Sequence, residues 1–218
     1  GDEQEAVCAL GATLKYLKES QKSDLSNISG VDYYSDSQFM RLDVSSRRNL
    51  ELTETMRSRE KKGTLLWALD KTKTPMGKRL IRSRIEQPLL SIARITKRHN
   101  AVAELLEKSI TRRELRECMS DIRDIERLMA RVVYGTANAK ELKALEITIN
   151  ALPAIRDALN DVHSGLLSEI RANLDTLGDV GALIGEAIVD DPPFSVREGG
   201  MIRDGFNTEL DSLREIVT

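Results

Sequence analysis

The sequence predicts an all-α protein, a multi-helix bundle with one or two minor β-hairpins. Aromatic residues make up only 4% of the 218 positions, while Ala, Leu, Arg, Lys and Glu abound, a balance typical of helix bundles. Apolar residues recur at three- and four-residue spacing along most of the chain. Side chains suited to helix N-caps, and Gly or Pro at the stops, punctuate that periodicity.

The length fits one large domain or two small ones, with a core sufficient to fold without disulfides or metal. No apolar run approaches the ~20 residues of a membrane span, and acids and lysines occupy the first twenty positions. A cytoplasmic location is the expectation. Cys8 and Cys118 form no CxxC or Cys/His cluster, so both are read as small core residues. Charge is uneven: residues 41–84 hold thirteen Lys/Arg against five Asp/Glu, and 186–218 hold eight acids against three bases.

Residues 2–22 form the first expected helix, with Val7, Leu10, Leu14 and Leu17 on one face, and the polar run Ser20 to Gly30 ends it. Val31, Tyr33, Phe39, Arg41 and Leu42 around Ser35-Asp36-Ser37 predict a small hairpin. Asp43 then caps a helix over 44–60 that turns Leu50 and Leu52 inward. Gly63 breaks it before the apolar turn Thr64 to Leu69, where Trp67 is expected to anchor the core.

Thr74 suits an N-cap and Pro75 the first helical position, giving a helix over 75–86 that stops at Gln87 because Pro88 follows. Ser91 caps the next, whose stripe Ile92, Ile95, His99, Val102 and Leu106 is expected to face the core. A short helix at 111–119 precedes one at 121–134, with Ile122, Ile125, Leu128 and Val132 on one face and Gly135 as stop. Asn138 and Glu141 have capping-box spacing; their helix carries Leu142, Leu145, Ile149 and Leu152, and Pro153 kinks or interrupts it before Ile155 and Leu159. Helices at 164–176 and 179–189 lead to Asp190-Asp191-Pro192-Pro193. Gly199-Gly200 predicts a second hairpin between Ser195–Arg197 and Met201–Arg203, and a last helix starts near Asn207 with Leu210, Leu213 and Val217 on one side.

No catalytic constellation emerges. Gly77-Lys78 echoes a P-loop, but Thr72 stands where the earlier glycine belongs and Arg79 where a Ser/Thr belongs. Ser58 and Lys61 have Ser-x-x-Lys spacing without a companion motif. His99 lies on the apolar stripe, His163 has no ligand-spaced acids or cysteines, and Asp190-Asp191 reads as a turn rather than a metal pair. The basic 41–84 segment can neutralise phosphates, but it lacks stacking aromatics in its densest runs and reads first as a solvated face.

The stretches Met40-Arg41-Leu42-Asp43, Arg48-Asn49-Leu50-Glu51-Leu52, Gly63-Thr64-Leu65-Leu66-Trp67 through Asp70, Thr74-Pro75-Met76-Gly77 and Gln87-Pro88-Leu89, in this order, resemble the MutS family of DNA mismatch-repair ATPases. Further on, Asp124-Ile125-Glu126-Arg127-Leu128 with Arg131, Leu152-Pro153, and Pro192-Pro193 through Val196-Arg197-Glu198-Gly199-Gly200 continue it, with Ile202 and Gly205. His99 departs from the family's usually apolar residue.

The resemblance implies the core or lever region that joins the ATPase to the DNA clamp, with residues 1–206 as its first segment and 207–218 as the start of the helix leading into the clamp. It implies a piece of a longer protein whose N- and C-terminal ends are not natural termini. For the parent it implies ATP and magnesium as cofactors, and mismatched duplex DNA, a MutL-type partner and a homodimer as associations. The family's mismatch reader and Walker motifs do not occur in this sequence. The expectation is therefore no catalytic, cofactor-binding, DNA-binding or metal residue, no cofactor and no enzyme activity in this piece, with weak DNA binding or none. The alternative is a free-standing helical module that binds nucleic acid or protein.

Overall fold

The computed structural model describes residues 2–21, 28, 30 and 38–217, and it divides into two compact units, residues 1–35 and 36–218. In the first, α1 (Asp2–Gln21) turns Leu10, Leu14 and Leu17 to its least exposed face, as the spacing predicts, with Ala6 alongside them. Val7, expected on that face, is exposed. The polar run beyond Gln21 falls mostly outside the described residues, as does the first half of the hairpin expected around Ser35-Asp36-Ser37.

The second unit is all-α. Its helices are α2 (Val44–Asn49), α3 (Leu65–Leu69), α4 (Pro75–Glu86), α5 (Ile92–Glu107), α6 (Ser109–Cys118), α7 (Ile125–Val133), α8 (Ala139–Ala158), α9 (Gly165–Asn173), α10 (Gly178–Ala187) and α11 (Thr208–Val217). The expected caps form: Asp43, Thr74 and Ser91 each accept a backbone N–H three residues on, and Asn138 and Glu141 close a reciprocal capping box; Thr64, read only as the start of an apolar turn, caps α3 in the same way.

α8 organises the packing. Ala139, Leu145 and Ile149 form one core with Ile184 and Ile188 of the α10 segment. Beyond its C-terminus, Leu159 and Val162 form a second core with Ala101 of α5, Leu115 of α6 and Leu167 of α9. Pro153 does not interrupt the helix; it lies exposed inside it, and the buried Leu152 and Leu159 hold the chain helical on both sides of the lost N–H. Gly181 and Gly185 let α10 approach α8 closely. A Cβ at Gly181 would lie 2.8 Å from Ile149 Cγ2, and one at Gly185 would lie 2.8 Å from Glu146 Oε1.

Four expectations are corrected. The helix foreseen over 44–60 ends at Asn49, because Glu51 adopts a positive φ and the carbonyls of Glu51 and Leu52 accept the N–H groups of Leu65 and Leu66. Leu52 is then buried and Leu50 exposed. Trp67 is not a core anchor: it is 48% exposed, because the five-residue α3 turns only Leu66 inward. On α5 the inward face is offset, so Ala101 is buried and Leu105 packs beside it, while Ile92, His99, Val102 and Leu106 are exposed. The stripe's period was helical, but a neighbouring set of side chains meets the core.

The hairpin expected across Gly199-Gly200 does not form, while the one expected around Ser35-Asp36-Ser37 lies largely outside the described residues. Among the described residues, pairing is limited to two isolated antiparallel bridges, Phe39 with Leu89 and Ile188 with Ile202. Gly199 and Gly200 take the positive φ that a tight turn requires, yet Val196–Glu198 is a 3₁₀ turn closed by reciprocal Ser195 and Glu198 bonds. That local capping competes with strand formation. Ile202 therefore pairs back to Ile188 rather than across the glycines.

Candidate functional site

Each residue pair that suggested chemistry is occupied with local structure. Gly77 donates its N–H to Thr74 Oγ1 at 3.0 Å, so this glycine serves a helix cap, and Lys78 projects from the side of α4. Ser58 bonds Thr55 through its hydroxyl, while Lys61 Nζ pairs with Asp70 at 2.6 Å. His99 is exposed, and the backbone N–H of the exposed His163 donates to Glu104 Oε1 at 2.7 Å. Asp190 is paired with Arg203 at 2.5 Å and Lys143 at 3.4 Å, whereas Asp191 approaches Lys140 at 3.9 Å. Cys8 is exposed, contrary to the core reading, and Cys118 is half-buried. Among the described residues no three His, Cys, Asp or Glu side chains converge as a metal site would need.

The carboxylates with depressed pKa values are structural fasteners. Asp70, tied to Lys61 and then Thr72, is held down at about 2. Ser164, with the His163 N–H and Lys108, holds Glu104 at about 2. Asp190 is lowered by Arg203 and then Lys143. In each case a donor favours the ionised form. Glu104 has a further role: Ser164, the N-cap residue of α9, makes no side-chain cap bond, and Glu104 Oε2 of α5 accepts its N–H at 2.8 Å. A carboxylate from another helix thus caps α9, where the helix dipole favours negative charge. Sequence reading missed it because the partners are 60 positions apart.

Basic surface is distributed over several shallow clefts. Arg47, Arg48 and Arg59 line one beside Glu54, between α2 and the following turns. The half-buried Arg98 lies near Arg84 and Arg94; burial first, and then these two like charges, push its pKa down. Lys73, Arg112, Arg113 and Arg116 line another cleft. The first lies within the basic 41–84 segment, whereas the last draws three of its four cations from α6 and could not be read from that segment.

The match to known families is decisive. Residues 45–218 match the family model described as MutS domain III. The chain belongs to the MutS domain III family. It is 46% identical over 212 residues to the DNA mismatch repair protein MutS of Lachnoclostridium phytofermentans, covering 97% of this chain and 23% of that protein. Against the protein of the same name from Symbiobacterium thermophilum it is 47% identical over 212 residues, covering 97% and 24%. For that of Ruminiclostridium cellulolyticum the values are 49% over 209 residues, 96% and 24%. The chain spans about a quarter of the length of these relatives.

In this MutS domain III the residues that carried the family resemblance are chiefly architectural. Thr64, 2% exposed, caps α3, and Asp70 closes that turn by binding Lys61 and Thr72. Asp124 caps α7 and accepts two hydrogen bonds from Arg79 of α4, at 2.7 and 2.8 Å, while Glu126 takes the same guanidinium at 2.5 Å. Arg131 pairs with Glu141 at 2.7 Å and donates to Thr136 O, fastening the α7–α8 turn. No helix among the described residues is long and apolar enough to cross a membrane.

Proposed function

We propose that this domain is a mechanical lever in a longer mismatch-repair protein, transmitting movement between a nucleotide site and a DNA clamp that lie elsewhere in the polypeptide. The observation that carries this reading is α8, a single helix of 20 residues, about 30 Å long. One core packs along it and a second gathers at its C-terminal end. A strut built into two cores moves as a body, which is what coupling between distant sites needs. α11 begins the helix that leads toward the clamp, following the body of the lever at 1–206.

On this reading the domain contributes no catalytic, mismatch-reading, cofactor or metal residue. ATP and magnesium serve the parent protein, whose associations are mismatched duplex DNA, a MutL-type partner and a second copy, in the cytoplasm. Relatives named as DNA mismatch repair proteins over the whole of their longer chains support this assignment.

The test uses the full-length parent carrying Ile149→Ala, which loosens α8 against α10. The expected result is basal ATP hydrolysis near wild type with a weakened response of that hydrolysis to mismatched duplex. An unchanged response in a variant shown to be destabilised would remove the lever reading. In the 218-residue chain alone, calorimetry should find no saturable ATP binding, and duplex binding should not discriminate a mismatch at moderate salt.

A further inference from the structure

Lys73 lies on the loop that follows Asp70, and Arg112, Arg113 and Arg116 lie on α6; together they line one open cleft whose lining contains Glu117 as its sole acid. We propose that this cleft binds a phosphoryl oxyanion, either free phosphate or the phosphodiester of a nucleic-acid backbone. The proposal does not depend on the lever reading and concerns residues outside both cores.

The cations are poorly neutralised. Arg112 Nη1 donates to the carbonyls of Leu105 and Leu106 at 3.0 and 3.3 Å, and Arg116 Nη1 donates to Lys71 O at 3.2 Å. Carbonyl oxygens orient a guanidinium without cancelling its charge, and each of these arginines has further N–H donors beyond Nη1. Arg113 meets Glu117 only at 3.9 Å, with both side chains largely exposed, so that pair is weak. The lining therefore carries four positive charges against one negative.

The cleft is also preformed. Asp70 fixes Thr72 through its hydroxyl at 2.6 Å, and Arg116 holds the carbonyl of Lys71, so Lys73 follows two anchored residues. On α6, Arg112 and Arg116 are four apart and share a face, with Arg113 beside them. Ser109 and Ser120 add hydroxyls to the lining. Arginine forks oriented by neutral acceptors and crowded by like charge favour an oxyanion that accepts several N–H bonds at once. Bringing such cations together without a counter-ion costs repulsion that a bound anion relieves.

The test is the double variant Lys73→Gln, Arg113→Gln, which spares the arginines holding backbone carbonyls. A charge-matched control is Arg57→Gln, Lys62→Gln. Duplex binding by the 218-residue chain is followed by anisotropy across a salt series, and inorganic phosphate binding by the melting-temperature rise at constant ionic strength. If the anion is a nucleic-acid backbone, the cleft variant loses duplex affinity and its log–log salt slope falls in magnitude by about 1.8, two contacts at roughly 0.9 each. If the anion is free phosphate, its melting-temperature rise disappears in the cleft variant while duplex binding does not change. The proposal is overturned if the cleft variant matches wild type in both assays, if the control loses as much as the cleft variant, or if wild type binds neither ligand.

Discussion

Gly181 of α10 rests against Ile149 of α8 so closely that a Cβ would lie 2.8 Å from Ile149 Cγ2. Ile149 is itself 1% exposed and cannot swing away. Gly181→Ala should therefore destabilise the domain by about 1–3 kcal/mol, outweighing the roughly 0.5–1 kcal/mol that alanine gains over glycine inside a helix. At Gly178 nothing lies within 4 Å, so Gly178→Ala should cause no loss. Urea unfolding of the two variants checks the contrast; equal midpoints would mean the helices are not packed this tightly.

Thr148 is fully buried, and its hydroxyl donates to Ala144 O at 3.0 Å while accepting the Arg123 N–H at 3.0 Å. Thr148→Val keeps the shape and strands that N–H, which should lower stability by about 1–3 kcal/mol. Hydrogen exchange reports it directly: the Arg123 amide should lose protection in excess of the global change.

Glu104 is held at about 2, below its ordinary 4.5, by Ser164 and then by the His163 N–H and Lys108. A depressed carboxylate contributes stability that is present above its unfolded pKa and lost as pH falls through the folded one. The α9 cap should therefore hold at neutral pH and loosen as pH drops from about 4.5 towards about 2. Carbon-detected titration of the Glu104 carboxyl reads the midpoint, and a value near 4.5 would refute the cap. In Glu104→Gln the acid-sensitive part of the Ser164 amide protection should disappear.

α11 leaves Leu213 55% and Ile216 79% exposed, while Arg214 donates to Ile202 O at 2.9 Å. Leu213→Ser should consequently change stability by no more than about 0.5 kcal/mol, as surface substitutions do. Amides of α11 should exchange faster than those of α8 in dilute solution, and protection that rises with protein concentration would show the stripe being covered by another copy.

Much of the fold is legible in the sequence because its signals are local. Thr74-Pro75 places α4, Asn138 and Glu141 place the start of α8, and Asp43 and Ser91 cap as their side chains predict. These bonds span three residues, so neighbouring letters determine them. The motif order that resembles MutS was likewise legible and agrees with the matched family model.

Tertiary structure decided which member of a periodic set meets the core. On α5 the period was right, yet Ala101 rather than Val102 faces inward, because the choice belongs to the surfaces of α6 and α9. It also decided that the chain leaves the helix after Asn49, since the partner of Leu52 O is the N–H of Leu66, fourteen positions away. The Glu104 cap of α9, the Arg79 fork on Asp124 and Glu126, and the α6 cleft share this origin. Each joins groups separated by tens of residues, and their geometry exists only once the helices have packed.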